Sequence, residues 1–316
     1  MRYAAVFPGQ GSQCVGMGCD VAASSPAARA LFDRAAVVLG YDLLELQRVG
    51  PEERLRETEF SQPAIFTTNL ALFEAAGGVE PVVTAGHSFA ELCSLVIARS
   101  LSFEDALRIV GARAKAMQAA AQRARGGMSA VLGLDAQQVR DVLQRVADEI
   151  GGRVALANFN SPTQIVISGD LQAVQAATQP MLDAGAKRVV PLNVSGAWHS
   201  VLMEFAVEPL AAAVETASFA MPQFDVISNV DGRPYRDAAT IKSQLVRSVV
   251  EEVRWHDTAL RLLTYDLNRV VEFGASNVLG ALMKRTPGAP PVSVVADFGG
   301  AQKFRAELER AAGAAV

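Results

Sequence analysis

The residues with the clearest chemical promise are Gly86-His87-Ser88-Phe89-Ala90. They put a serine between two small residues, after a short apolar run (residues 80–85, EPVVTA) and before a stretch of helical pattern (89–99). A nucleophile elbow needs a sharp strand-to-helix turn that lifts the hydroxyl clear of the backbone. Small residues two before and two after the serine let strand and helix close around that turn. Gly86 and Ala90 meet the size requirement, although the usual pattern has glycine at both places and Ala90 adds a methyl. A buried serine capping a helix would fit the same residues, so Ser88 needs a base before it counts as a nucleophile.

The chain offers three histidines. His87 adjoins Ser88, and neighbouring side chains at a tight turn point apart. His256 sits in the charged stretch VRWHD, where a solvated role is expected. His199, in SGAWHS, follows a predicted strand at a loop edge, where site residues are commonly delivered; it is the candidate base. Acyl transfer also needs donors for an oxyanion. The Phe89 N–H, at the start of the following helix, is one candidate; the Gln10 side chain in PGQGSQ, after the first strand, is the other. Gly9-x-Gly11 invites a phosphate-loop reading, but no third glycine completes GxGxxG and no GK[ST] follows. Arg113, on an apolar-faced helix after the elbow, could hold a substrate carboxylate in a bidentate fork. A snorkelling surface arginine is the plainer alternative.

The elements that must position these groups alternate between strand and helix. Residues 3–7 read as a buried strand. Spaced apolar positions predict helices over 25–39, with Gly40 as C-cap, and around 63–76 after Pro63. Ser102 with Asp105 resembles a capping box opening the helix that carries Arg113. After Gly126-Gly127 the rhythm changes. MSAVLGL, VALANFN, TQIVISG and KRVVPLNVS read as strands, with helices over DAQQVRDVLQRVADEI and LQAVQAATQPMLDAG. This β-α-β-β-α-β order is the split βαβ, ferredoxin-like signature, expected as an insert over 128–195. Beyond it, DVISNV and RVVEFG are predicted strands and 240–263 is predicted helical. The catalytic body is therefore expected over 1–127 and 196–316.

Bulk composition fits a globular chain. Of 316 residues half are hydrophobic and a fifth charged, with a net charge of −4. That mild acidity argues against whole-surface affinity for nucleic acid or anionic membrane. No run approaches the roughly 18 apolar residues of a membrane span, and the N-terminus lacks the marks of a signal peptide. Cys14, Cys19 and Cys93 show no CxxC spacing, so inert buried or half-buried thiols are expected rather than disulfides or a metal site. A cytoplasmic protein is the expectation.

PGQGSQ, SQPA (61–64), GHSFAE, Arg113-x-Lys-x-Met-Gln, NFNSPTQIVISG (158–169), SGAWHS and VEFGASNVL together resemble the malonyl-CoA:acyl-carrier-protein transacylases, the acyltransferases of fatty-acid and polyketide synthesis. The blocks run in order from about residue 3 to about residue 286. The resemblance implies an α/β fold: an α/β-hydrolase-like large domain with a parallel sheet and an inserted ferredoxin-like small domain. It implies a Ser88–His199 dyad, with the histidine oriented by a backbone carbonyl at Ser248. It places the oxyanion donors on Gln10 and Phe89, the carboxylate-binding arginine on Arg113, and further substrate contacts on Gln62 and Trp198. The implied substrates are a coenzyme A thioester and the phosphopantetheine thiol of an acyl carrier protein, with no resident cofactor or metal and a monomeric enzyme. Phe89, Ala90 and Trp198 depart from the common Leu, Gly and Phe, which leaves other acyl groups, or an editing hydrolase, as alternatives. For the carrier, Lys187, Arg188, Lys284 and Arg285 are candidate basic contacts.

Overall fold

The computed structural model describes residues 1–313. Among these residues nine strands form two sheets: β1 (Tyr3–Phe7), β2 (Val83–Gly86), β3 (Gly126–Leu132), β4 (Val154–Ser161), β5 (Gln164–Asp170), β6 (Arg188–Pro191), β7 (Asp225–Ile227), β8 (Arg269–Phe273) and β9 (Val292–Val295). The first sheet has the order β7-β2-β1-β8-β9 and is parallel throughout. Parallel strands need helical crossovers, so both faces become covered and the strands read as unbroken apolar runs. In β1 every residue is buried. Tyr3, Ala5 and Phe7 face the cluster built with helices Pro26–Leu39, Thr58–Ala75 and Phe103–Arg123. Ala4 and Val6 face Trp255, Leu262 and Leu279 on the other side.

The second sheet has the order β4-β5-β3-β6 and is antiparallel. Alternation along its strands divides its residues between two cores, as period-two geometry requires. Val131, Ile165 and Ile167 pack under helix Ala136–Ile150 with Val139 and Val142. Met128, Val166 and Ala157 turn the other way and join the main core. β4 is irregular between Leu156 and Asn158 and again between Phe159 and Ser161. There it bonds to the other body: the Val253 N–H donates to the Ala157 carbonyl at 2.8 Å and the Phe159 N–H to the Val253 carbonyl at 2.9 Å.

Several helices differ from the sequence reading. The helix expected from Pro63 begins at Thr58 and carries Pro63 inside it. The missing proline donor costs one bond, outweighed by burial of nearly the whole helix. The single helix expected over 171–185 is two, Leu171–Ala176 and Thr178–Asp183. Pro180 has no N–H for the Ala176 carbonyl, and the break falls one turn ahead of it, at Ala177. The expected helix over 240–263 is also two, Ala238–Arg247 and Trp255–Leu262. The seven residues between them loop towards the cleft. KRVVPLNVS is extended in the sheet only over Arg188–Pro191, after which the chain leaves the edge. Ser102 does cap its helix, accepting from the Asp105 N–H at 3.0 Å. Among the described residues no helix is long and apolar enough to cross a membrane, and no group of three or more metal-binding side chains gathers. Cys93 is buried and Cys19 half-buried, but Cys14 is exposed, contrary to expectation: it lies in the loop after β1, outside the core.

Candidate active site

β2 delivers the elbow. Its last residue, Gly86, is pressed so closely against the outgoing turn that a Cβ there would lie 2.0 Å from the Ala90 carbonyl oxygen. Only glycine fits. Ala90 itself is fully buried in the main core, so its extra methyl is packed rather than strained. The helix expected over 89–99 opens as a 3₁₀ turn, Ser88–Ala90, and continues as Glu91–Ile97. Ser88 at the corner has φ +57°, the left-handed region that a non-glycine residue enters only under constraint.

His199 arrives from the loop after β6 and also has φ +57°. Its Nε2 lies 2.8 Å from Ser88 Oγ. Its Nδ1 faces two backbone carbonyls, Ser248 at 2.7 Å and Glu251 at 3.1 Å. Carbonyls only accept, so Nδ1 carries the proton and Nε2 is left as the acceptor. These carbonyls belong to the chain just past helix Ala238–Arg247, where carbonyls have no partner within the helix. Burial first, then the neighbouring Arg113 and His87, push His199 down to about 3. The two carbonyls work in the opposite direction. The imidazole is therefore neutral at any ordinary working pH.

Arg113 is 2% exposed, which excludes the snorkelling alternative. One terminal nitrogen donates to Gln62 Oε1 at 2.9 Å and the other to Ser88 Oγ at 3.0 Å, while its Nε–H has no partner. Burial lowers its pKa to about 9, opposed by the negative Glu91. Among the described residues no carboxylate comes within ion-pair distance of it; every ion pair present lies elsewhere. A buried guanidinium without a counterion is costly, and such a site favours an anionic ligand.

Ser88, His199, Arg113, Gln62, Gln10 and Trp198 all line one cavity of about 640 Å³. Its other wall comes from the second sheet and the chain leaving it, including Met128, Asn158 and Leu192. Trp198 is buried, with its indole N–H unpartnered. Gln10 lines the cavity but turns its amide N–H to Thr58 Oγ1 at 3.2 Å. Phe89 packs its ring in the core, 5.9 Å from the Arg113 guanidinium carbon. His256 is not solvated as expected. It is half-buried with its ring 5.0 Å from that of Phe159, because the β4 irregularity brings Phe159 over helix Trp255–Leu262. His87 bonds through Nε2 to Asn160 Oδ1 at 3.1 Å. The sequence reading passed over Asn160, Asn158 and the Glu251 carbonyl. The first two stand in the NFNSPTQ block, but nothing in a sequence marks a carbonyl.

The acyl transferase domain family matches residues 5–307 of the chain. This protein is a member of that family. It is 40% identical to a malonyl CoA-acyl carrier protein transacylase of Salmonella typhimurium, over 90% of this chain and 92% of that one. It is 39% identical to the protein of that name from Bacillus subtilis, over 90% of each. Among solved structures, it matches a malonyl-transacylase in complex with its type II polyketide acyl-carrier protein. The TM-score is 0.92 and the identity 37%, covering 97% of this chain and all of that one. The transacylase of Coxiella burnetii matches with TM-score 0.92 and 35% identity over 98% of both chains. Transacylases of this family are thus matched along nearly their full length, and the cavity lies within the matched region.

Proposed function

We propose that this protein transfers a malonyl group from coenzyme A to the phosphopantetheine thiol of an acyl carrier protein, through an acyl-serine formed on Ser88. The observation that carries this reading is Arg113: a buried cation with no anionic partner and a free N–H, 3.0 Å from a serine hydroxyl that also reaches a neutral imidazole. Ser88 and His199 alone would suit any acyl group. Arg113 selects one that ends in a carboxylate.

In the first half-reaction His199 Nε2 takes the Ser88 proton as Oγ attacks the thioester carbonyl. The oxyanion is received by the Phe89 N–H, free at the start of its 3₁₀ turn, and by the Gln10 amide once it leaves Thr58. The imidazolium then protonates the departing thiolate. In the second half-reaction the carrier thiol gives its proton to His199 and attacks the acyl-serine, and the returning proton restores the Ser88 hydroxyl. Pairing of the malonyl carboxylate with Arg113 has a second effect. The positive guanidinium is one of the causes that weaken His199 as a base, so neutralising it strengthens that base when substrate is in place. Gln62 holds the guanidinium in line, and Trp198 and Met117 close the pocket beside the acyl group. The carbonyl of Ser248 fixes the imidazole. No resident cofactor is called for, since the thioester is itself a substrate.

We assign residues 1–127 and 196–316 to an α/β-hydrolase-like catalytic domain and 128–195 to a ferredoxin-like insert. The parallel sheet with its elbow serine and the antiparallel order β4-β5-β3-β6 support these assignments. A cytoplasmic setting follows from the two substrates. The test is intact-protein mass after exposure to malonyl-CoA and to acetyl-CoA. A malonyl mass that is lost in Ser88→Ala supports the reading; a protein that takes up acetyl in preference removes Arg113 from substrate choice.

A further inference from the structure

At the left-handed corner of Ser88 both main-chain polar groups are met by one side chain. Asn229, 2% exposed and just past the end of β7, lays its side-chain amide along the Ser88 main chain. Its Oδ1 accepts from the Ser88 N–H at 3.1 Å and its Nδ2 donates to the Ser88 carbonyl at 3.3 Å. One primary amide thus satisfies both backbone groups of the nucleophile's own residue, as a neighbouring strand would. The orientation of that amide is not free. Glu91, 3% exposed, accepts from the Asn229 backbone N–H at 2.8 Å and from Asn229 Nδ2, and its other oxygen accepts from the Tyr235 hydroxyl. A carboxylate only accepts, so it forces the NH₂ of Asn229 towards itself and leaves Oδ1 facing Ser88. A tight turn brings Tyr235 to this place: the Ser228 N–H donates to the Arg233 carbonyl at 2.9 Å and the Tyr235 N–H to the Val226 carbonyl at 3.1 Å.

We infer that Asn229, with its amide oriented by Glu91, is a positioning residue for Ser88, holding the nucleophile's backbone in the strained conformation that aims Oγ at His199. This rests on the reading of Ser88 as nucleophile. A non-glycine residue at positive φ stays there only where its surroundings over-determine it. Without the clamp, Ser88 relaxes towards negative φ and carries Oγ out of line with Nε2. Misplacement of a reacting atom by about 1 Å costs on the order of a hundredfold in rate. Burial pushes Glu91 up to about 6, so it is still mostly ionised at neutral pH.

The test compares steady-state kinetics and acyl-enzyme mass for wild type, Ser88→Ala, Asn229→Ala, Glu91→Ala, Glu91→Gln and the Asn229→Ala/Glu91→Ala double variant, with thermal unfolding as the check on folding. Asn229→Ala is expected to lower kcat about ten- to a hundredfold with little change in the KM for malonyl-CoA, because the pocket that binds substrate is untouched. Glu91 acts through Asn229, so the double variant is expected to be no slower than Asn229→Ala alone. Glu91→Gln keeps an acceptor for Asn229 and can donate its amide to the Tyr235 oxygen, so it is expected to recover most of what Glu91→Ala loses. Should Asn229→Ala not fold, Asn229→Ser leaves a hydroxyl for Glu91 but cannot span both Ser88 groups, and the same loss of kcat is expected. A folded Asn229 variant that keeps kcat within about twofold, one that loses activity through KM alone, or a double variant whose losses multiply would each overturn the clamp. Absence of an acyl mass on wild-type Ser88 overturns the reaction reading and the clamp together; its presence with indifferent Asn229 variants overturns the clamp alone.

Discussion

At the scale of single residues, the proposed chemistry rests on three side chains that share one hydroxyl. Ser88→Ala is expected to form no acyl-enzyme while unfolding at the wild-type temperature, since only an oxygen is lost; intact mass and thermal melting read both. His199→Ala is expected to slow acylation by about 10²–10⁴-fold, measured as the rate of mass gain in single turnover. In the proposed reaction Arg113 separates substrates. Arg113→Ala is expected to lower kcat/KM for malonyl-CoA by about ten- to a few hundredfold, the value of a charge-assisted pair of roughly 1.5–3 kcal/mol, while the low rate with acetyl-CoA holds or rises. Equal losses with both substrates would make the arginine structural. The same group sets an alkaline limit. Burial brings Arg113 down to about 9, and its charge is lost as pH rises through that value. kcat/KM for malonyl-CoA, which reports free enzyme, is therefore expected to fall above about pH 9, and the acetyl-CoA profile to lack that limb. Coincident profiles would remove Arg113 from the binding step.

At the scale of elements, the elbow has no slack. Gly86→Ala would drive a Cβ into the Ala90 carbonyl and the Glu91 nitrogen, at 2.0 and 2.4 Å, and neither is a movable side-chain end. A loss of several kcal/mol, or no folded protein, is expected on thermal unfolding, consistent with forced backbone distortion. Away from the site, Asp135 caps helix Ala136–Ile150 in a full capping box with Gln138. Asp135→Ala is expected to cost about 1 kcal/mol and leave kcat unchanged. These elements also divide what a sequence can disclose from what it cannot. The elbow, the strand order of β3 to β5 and the cap at Ser102 follow from local pattern, and all were legible; the capping box at Asp135 was not read. The breaks at Pro180 and after Arg247 were not read. The first carries a visible proline that helical periodicity outweighed; the second, over residues 248–254, has no proline or glycine to mark it. Ser88, His199 and Arg113 stood out by residue type and placement. The clamp of Glu91 and Asn229 did not, because its two members are 138 positions apart and ordinary in kind.

At the scale of the molecule, the cavity is a seam. Ser88, Arg113 and His199 come from the parallel-sheet body, and Met128 and Asn158 from the antiparallel sheet. In the proposed reaction both the coenzyme A thioester and the carrier thiol reach Ser88 through this seam, so initial rates are expected to give parallel double-reciprocal lines, with free coenzyme A competing against the carrier. Intersecting lines would mean that both substrates bind at once. The basic residues read from sequence as carrier contacts are exposed but do not line the seam. Arg188 pairs with Leu132, four residues along β3 from Met128 and so roughly 13 Å away, and Arg285 bonds to Gln164 at the start of β5. Near the seam, helix Glu52–Arg56 presents Glu52 and Glu53 beside Arg56. Reversal of Lys187 or Arg188 is accordingly expected to leave acylation by malonyl-CoA within about twofold, and a larger loss would mean that the sheet edge communicates with Ser88.

The bond from Arg113 to Ser88 Oγ bears on how the resting protein meets electrophiles other than its substrate. With a guanidinium hydrogen directed at its lone pair, the hydroxyl is partly masked. An anion that draws the guanidinium away unmasks it. Covalent labelling by a neutral sulfonyl fluoride should then run faster in the presence of a small carboxylate such as acetate than without it, the reverse of the protection that active-site ligands ordinarily confer.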